Sequence, residues 1–198
     1  MKTGKGTLVL TGETKFTGLA DGYAFDLQQG YLEGSSKNLV GKIHIAEGAE
    51  LTFKEIVDGT YAGGLEGEGE LAKNGEGTLT LNGINSALGG TTINTGTLVL
   101  NGTLNTAGEG TTVWGTLALN GTLNSAGNGT NINNDGLLSV NGTLNGDVSV
   151  NKGARLRGAA GSTARSPTMV ARSIPATPSA ISPSTAISNS TMARWWWR

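Results

Sequence analysis

The chain has a single histidine, His44, and no cysteine. Histidine-run acid–base chemistry, or a metal held by thiolates or several imidazoles, therefore has at most one side chain to draw on. His44 lies between Ile43 and Ile45. If both isoleucines turn inward on a strand, His44 faces solvent. One histidine among many serines and threonines defines no Ser/His/Asp set. Elimination chemistry on an acidic polysaccharide needs clustered acids for calcium and a basic residue placed as the base. Here Asp21, Asp26, Asp58, Asp135 and Asp147 are scattered, and no arginine precedes Arg155. Glu66, Glu68, Glu70 and Glu76 alternate with glycines but lack the Gly-Gly-x-Gly-x-Asp calcium nonapeptide, so they read as a solvated acidic loop. Arg155, Arg157, Arg165 and Arg172 are of the type that contacts phosphates, yet no aromatic platform interleaves with them. The expectation is a chain with no catalytic residue, cofactor or metal, no nucleic-acid partner and no enzymatic activity of its own.

Composition narrows the class of structure that could position any site. Glycine is 33 of 198 residues, far below the roughly one in three of a collagen repeat. Charged residues are 15%, against about 25% in an ordinary domain. No apolar run approaches the ~18 residues of a membrane span, and the Met1-Lys2-Thr3-Gly4 start lacks the apolar stretch of a signal peptide. The net charge of −1 hides a split. Residues 1–147 hold all 15 acids and 7 lysines, a net of −8, while residues 148–198 hold no acid and 7 basic residues. All four prolines lie between Pro167 and Pro183. Two compositions meet near residue 158.

An internal repeat explains the first of them. Gly-Thr-Leu-x-Leu begins at Gly77, Gly96 and Gly115, at a constant interval, and Gly136 opens the variant Gly-Leu-Leu-Ser-Val after a slightly longer one. Asn-Gly follows each phrase, at Asn82, Asn101, Asn120 and Asn141. A third element recurs as Thr92-Ile93-Asn94, Thr112-Val113-Trp114 and Asn131-Ile132-Asn133. Gly6-Thr7-Leu8-Val9-Leu10 opens the chain with the same unit. Leu98, Leu100 and Leu104 share one parity, as do Leu117, Leu119 and Leu123, and Leu138, Val140 and Leu144. Period two means strands with one inward face.

Two architectures accommodate such a unit. Asn-Gly between apolar alternations is a strong type I′ hairpin signal, which gives antiparallel strands. Near-constant spacing instead suits coils stacked in a parallel β-helix, because equivalent residues must superpose. The alternation also runs on through the Asn-Gly, which favours the β-helix. Leu79, Leu98, Leu117 and Leu138 then form one core column. Leu81, Leu100, Leu119 and Val140 form a second, and Leu104, Leu123 and Leu144 a third. Asn82, Asn101, Asn120 and Asn141 either form an amide ladder at a tight bend or serve only as turn formers, with Asn and Gly taking the left-handed conformation. One coil buries too little apolar surface to offset the backbone entropy of about 20 residues, so coils must stack and the ends need caps.

The stretch Leu71-Ala72-Lys73-Asn74-Gly75-Glu76-Gly77-Thr78-Leu79-Thr80-Leu81, with Gly89-Gly90-Thr91-Thr92-Ile93-Asn94-Thr95-Gly96-Thr97-Leu98, closely resembles the passenger repeat of bacterial autotransporters. Val148-Ser149-Val150-Asn151-Lys152-Gly153-Ala154-Arg155-Leu156-Arg157-Gly158 resembles the end of such passengers. The match is strong over about residues 65–158 and weaker over 4–64. It implies an all-β, right-handed parallel β-helix of the pectin-lyase-like kind, with a coil period of about 19–21 in sequence and roughly seven coils. Within it, residues 1–64 are expected to form irregular coils with longer loops, and 65–158 the regular repeats. The resemblance further implies export through a covalently continuous C-terminal outer-membrane β-barrel and a place at the cell surface or outside the cell. Passengers of this class act as adhesins, toxins or proteases, with the helix serving as a stalk. The implied role here is therefore a stalk fragment of a surface-exposed or secreted virulence or adhesion protein. The alternatives are the repeat region of a subtilisin-like serine protease autotransporter, or an adhesive module contacting host matrix or glycan through residues 19–64. The chain as read is expected to lack a signal peptide and a barrel of its own and so an export route, and its uncapped end is expected to be prone to edge pairing.

Residues 159–198 are expected to be a disordered, basic Pro/Ser/Arg tail read out of frame. Trp195-Trp196-Trp197 requires three TGG codons. In the frame starting on the last base of each codon, both Trp–Trp junctions give valine and Met192-Ala193 gives glycine. From the Pro175-Ala176 junction, that frame also permits Gly-Asn-Ser-Ile-Gly, a segment by which such passengers continue toward their barrel.

Overall fold

The computed structural model describes residues 1–13 and 22–158. Among these residues there is no helix, and the ladders between strands are parallel. The expected tail, 159–198, and Asp21 lie outside the described residues.

The chain winds as a β-solenoid of about seven turns with three faces, the third of which carries strands from Gly59 on. The first face stacks Phe25–Leu27, Ile43–Ile45, Leu65–Glu66, the leading halves of Ile84–Ile93 and Thr103–Val113, then Thr122–Ser125 and Thr143–Asn145. The second stacks Thr7–Val9, Gly30–Gly34, Ala49–Lys54, Glu70–Asn74, the trailing halves of the same two long strands, Thr130–Ile132 and Val148–Val150. The third stacks Gly59–Tyr61, Thr78–Leu81, Thr97–Leu100, Thr116–Leu119, Leu137–Val140 and Arg155–Gly158.

Register follows the repeat. On the third face Thr78 pairs with Thr97, Thr97 with Thr116, Thr116 with Leu137 and Leu137 with Arg155, so each partner sits one repeat further along the chain. The period varies more in the N-terminal coils than the repeat suggests. Phe25 pairs with Ile43 after a short coil, whereas Ile43 pairs with Leu65, and Thr7 with Tyr31, after long ones. Inward positions stay paired, and strand ends and corner segments absorb the difference.

Alternation puts the leucines inside. Leu79, Leu98, Leu117 and Leu138 are fully buried and stack as neighbours. Leu81, Leu100, Leu119 and Val140 form the adjacent column, and Leu104, Leu123 and Leu144 line the first face. The last column meets a polar residue one coil earlier, where Asn85 pairs with Leu104 and is fully buried. Asn85 Oδ1 accepts from the Leu65 N–H at 3.2 Å, and its Nδ2 donates to the carbonyls of Gly83 and Thr103. A buried amide is tolerated there because its donors and acceptor are used.

The Asn-Gly corners correct one expectation. Neither Asn82, Asn101, Asn120 and Asn141 nor the glycines that follow them have positive φ; Asp135 is the one described non-glycine that does. These corners are therefore not type I′ turns. Glycine is required there for proximity: a Cβ on Gly102, Gly121 or Gly142 would collide with the carbonyl oxygen of the preceding coil's glycine. The corner backbone turns while resting directly on the coil below.

Substitutions separate the two demands. Leu117→Ala should cost about 2–5 kcal/mol through lost burial and a residual cavity. Gly121→Ala adds only a methyl group, yet should cost about 1–3 kcal/mol because the crowded neighbour is backbone. Urea unfolding followed by circular dichroism measures both.

Candidate functional site

The outward side of the first three coils gathers the polar residues with most chemical capacity. Parallel register places Asp26, His44 and Glu66 in one row, each on a successive coil. Ile43 and Ile45 are buried on either side, so the His44 ring projects outward, with 30% of its side chain exposed. It is not simply solvated. His44 Nδ1 lies 2.8 Å from Asp26 Oδ1, which also accepts from Gln28 Nε2 at 2.6 Å. Glu66 receives Lys42 Nζ on Oε1 and the Tyr23 hydroxyl on Oε2, both at 2.7 Å. Lys42 Nζ stands 4.8 Å from the Tyr23 ring centre, and the Tyr23 and His44 rings are 5.5 Å apart.

The electrostatics follow. Burial pushes the Asp26 carboxyl up, but the hydrogen bonds from His44 and Gln28 outweigh it and hold the group below its ordinary value. Lys42 and Tyr23 likewise hold Glu66 low, and Glu66 in turn raises Lys42. A His–Asp pair is half of a nucleophile-activating set. Among the described residues no hydroxyl is hydrogen-bonded to the other His44 nitrogen, and none of their acids and histidine group as metal ligands. What the row does is tie three coils together.

The remaining acids are dispersed. Asp58 Oδ1 accepts from the Thr78 N–H at 2.7 Å. Glu66, Glu68, Glu70 and Glu76 do not form one acidic loop. Glu66 and Glu70 lie on strands, Glu70 beside Glu50, while Glu68 and Glu76 lie between strands. Arg155 and Arg157 are exposed on the last described strand, and Arg165, Arg172 and Trp195–Trp197 lie outside the described residues.

Amide ladders run along the corners. Asn101, Asn120 and Asn141 each donate from Nδ2 to Oδ1 of the asparagine one coil earlier, beginning at Asn82, over 3.0–3.1 Å. A second ladder, unseen in the sequence, joins Asn105, Asn124 and Asn145 at 2.6 and 2.7 Å. The motif that ends in Asn94 and Asn133 contributes a third, with bonds from Asn94 to Asn74 and from Asn151 to Asn133.

Inside, two features carried little sequence signal. Lys73 occupies an inward position between Phe53 and Ile93 and is 1% exposed. Its ammonium donates to the carbonyls of Asn74, Gly75 and Thr95 at 2.7–3.2 Å, and burial lowers its pKa. Thr106, Thr111 and Ser125 form a buried hydroxyl cluster at 3.2–3.4 Å.

Two stretches, residues 2–33 and 71–100, match the family model described as Passenger-associated-transport-repeat. The two matches are consistent with an autotransporter passenger repeat protein. The second match begins at Leu71, where the clean repeats begin. The first falls in the less regular N-terminal part and spans the opening Gly6-Thr7-Leu8-Val9-Leu10 unit. No curated protein and no solved structure matches the chain. Passenger repeats imply a surface or extracellular location for the protein to which they belong. Among the described residues no helix is long and apolar enough to cross a membrane.

Asp26 and Glu66, both held low, should make the N-terminal coils sensitive to acid. Carboxyl pKa values held down in the folded state stabilise fully above their unfolded values near 4. That stability is lost as pH falls through the lower folded values. Asp26→Asn with Glu66→Gln should lower stability at neutral pH and flatten the loss below about pH 4. Urea midpoints measured across that range test this.

Proposed function

We propose that this chain is a spacer segment of an autotransporter passenger: a stiff β-solenoid, without chemistry of its own, that carries an active module away from a bacterial surface. The single observation behind this reading is the continuity of the ladders. Among the described residues, successive turns are bonded along two faces throughout and along the third from Gly59 on, and amide columns brace the corners of the later turns. Such stacking transmits position and leaves the outward residues free to vary. The one His–Asp pair is spent on joining coils.

The intact protein would be exported through a C-terminal barrel to which this chain is covalently joined. The module it presents would be adhesive or proteolytic, in keeping with a virulence role. A subtilisin-like protease parent predicts a protease domain encoded upstream of Met1. An adhesive role within the chain itself draws support from Ile56 and Val57, adjacent apolar residues 78% and 57% exposed at a corner of the irregular coils.

Deleting residues 78–96 joins Gly77 to Thr97, the register partner of Thr78, and so removes one whole turn. In the intact passenger on cells, the spacer reading expects export and the presented activity to persist. The molecule should shorten by one strand spacing, about 4.8 Å. Loss of activity with export retained would contradict it. Loss of cell binding in Ile56→Ser/Val57→Ser, with the fold kept, would instead favour the binding module.

A further inference from the structure

The third amide column is broken at one turn. Its positions follow the inward residues Lys73, Ile93, Val113, Ile132 and Val150, and are Asn74, Asn94, Trp114, Asn133 and Asn151. The backbone keeps step through the break: the N–H groups of Asn94, Trp114, Asn133 and Asn151 bond to the carbonyls of Lys73, Ile93, Val113 and Ile132. Only the side chain changes. Each intact rung donates from Nδ2 of the later asparagine to Oδ1 of the earlier one. Asn94 Nδ2 donates to Asn74 and Asn133 Oδ1 accepts from Asn151, which leaves Asn94 Oδ1 and Asn133 Nδ2 outside the rungs. Among the described residues no side-chain hydrogen bond crosses from Asn94 or Asn133 to Trp114. Trp114 is 45% exposed, in a column otherwise made of amides.

We propose that Trp114, between the open ends of these two half-ladders, is a binding site for a neutral pyranose saccharide. The chemistry of the break selects that class. An exposed indole face carries negative π density and attracts the weakly positive C–H face of a sugar ring. An acceptor on one side and a donor on the other suit hydroxyls, which do both. The two amides stand two strand spacings apart, about 9.6 Å, a span that a disaccharide bridges. The column at these turns carries no charged side chain, and the acid nearest in sequence to Asn133, Asp135 in the corner that follows it, disfavours a sialylated or sulfated sugar. Thr112, outward on the strand leading into Trp114, adds a hydroxyl alongside. This goes beyond the spacer role and does not depend on it.

The test is a titration of the full chain with lactose and cellobiose, using mannitol as a polyol without a ring, followed by nitrogen–proton NMR. Chain-wide, the tryptophans are Trp114 and Trp195–Trp197, so the latter three serve as internal controls. The proposal expects the Trp114 indole and the Asn94 and Asn133 amide signals to shift at millimolar sugar, with mannitol inert. Trp114→Phe should keep weaker binding. Asn94→Ala should raise Kd about fivefold, the share of one neutral hydrogen bond. Trp114→Asn should abolish binding while keeping or raising the melting temperature, because it restores the column. No shift with either sugar, or shifts confined to Trp195–Trp197, would overturn the proposal. So would a sugar-independent, protein-concentration-dependent shift lost in Trp114→Asn, which would make a second copy of the chain the occupant.

Discussion

Everything in this molecule depends on each turn hydrogen-bonding, in parallel and in register, to the turn before it. A single turn orders about 20 residues and buries only a handful of aliphatic side chains, too little to offset the entropy lost. The deficit is met by neighbours, which share burial and satisfy the strand N–H and C=O groups. In-register stacking also makes like residues touch like. Leucine above leucine becomes a core column, asparagine above asparagine becomes an amide ladder, and glycine above glycine lets a corner lie on the backbone below.

That constraint governs what was readable beforehand. Residues that recur at constant spacing are those that stack, so the leucine columns and the parallel arrangement could be taken from the interval between Gly77, Gly96 and Gly115. The glycine of each Asn-Gly was readable as necessary but not for its reason. Turn propensity suggests positive φ, whereas the contact that forbids a side chain comes from the neighbouring coil, a full repeat away in sequence. The same separation hid the Asp26–His44–Glu66 row. The intervals between its members, one short and one long, fall off the clean period, and only the fold supplies the register. Lys73 in a core column was hidden for a related reason: its partners are corner carbonyls, which leave no mark in the sequence.

Regularity also gives meaning to exceptions. A solenoid fills equivalent positions with equivalent residues, so a departure must either be repaired locally or serve something outside the stack. Asn85 is repaired, with its amide bonded to three backbone groups. Trp114 is not, whereas the groups of the more polar His44 row are bonded to one another.

The central claim is the parallel stack itself, and introduced cysteines can measure it because the chain has none. Thr80, Val99, Ala118 and Ser139 occupy one outward row on successive turns. Spin labels on cysteines replacing Thr80 and each of the other three in turn report the spacing by dipolar EPR. Stacked turns predict backbone separations rising in equal steps, about 5, 10 and 14 Å. Antiparallel pairing through the Asn-Gly corners would break that order, and a Thr80–Ala118 distance no longer than Thr80–Val99 would contradict the account.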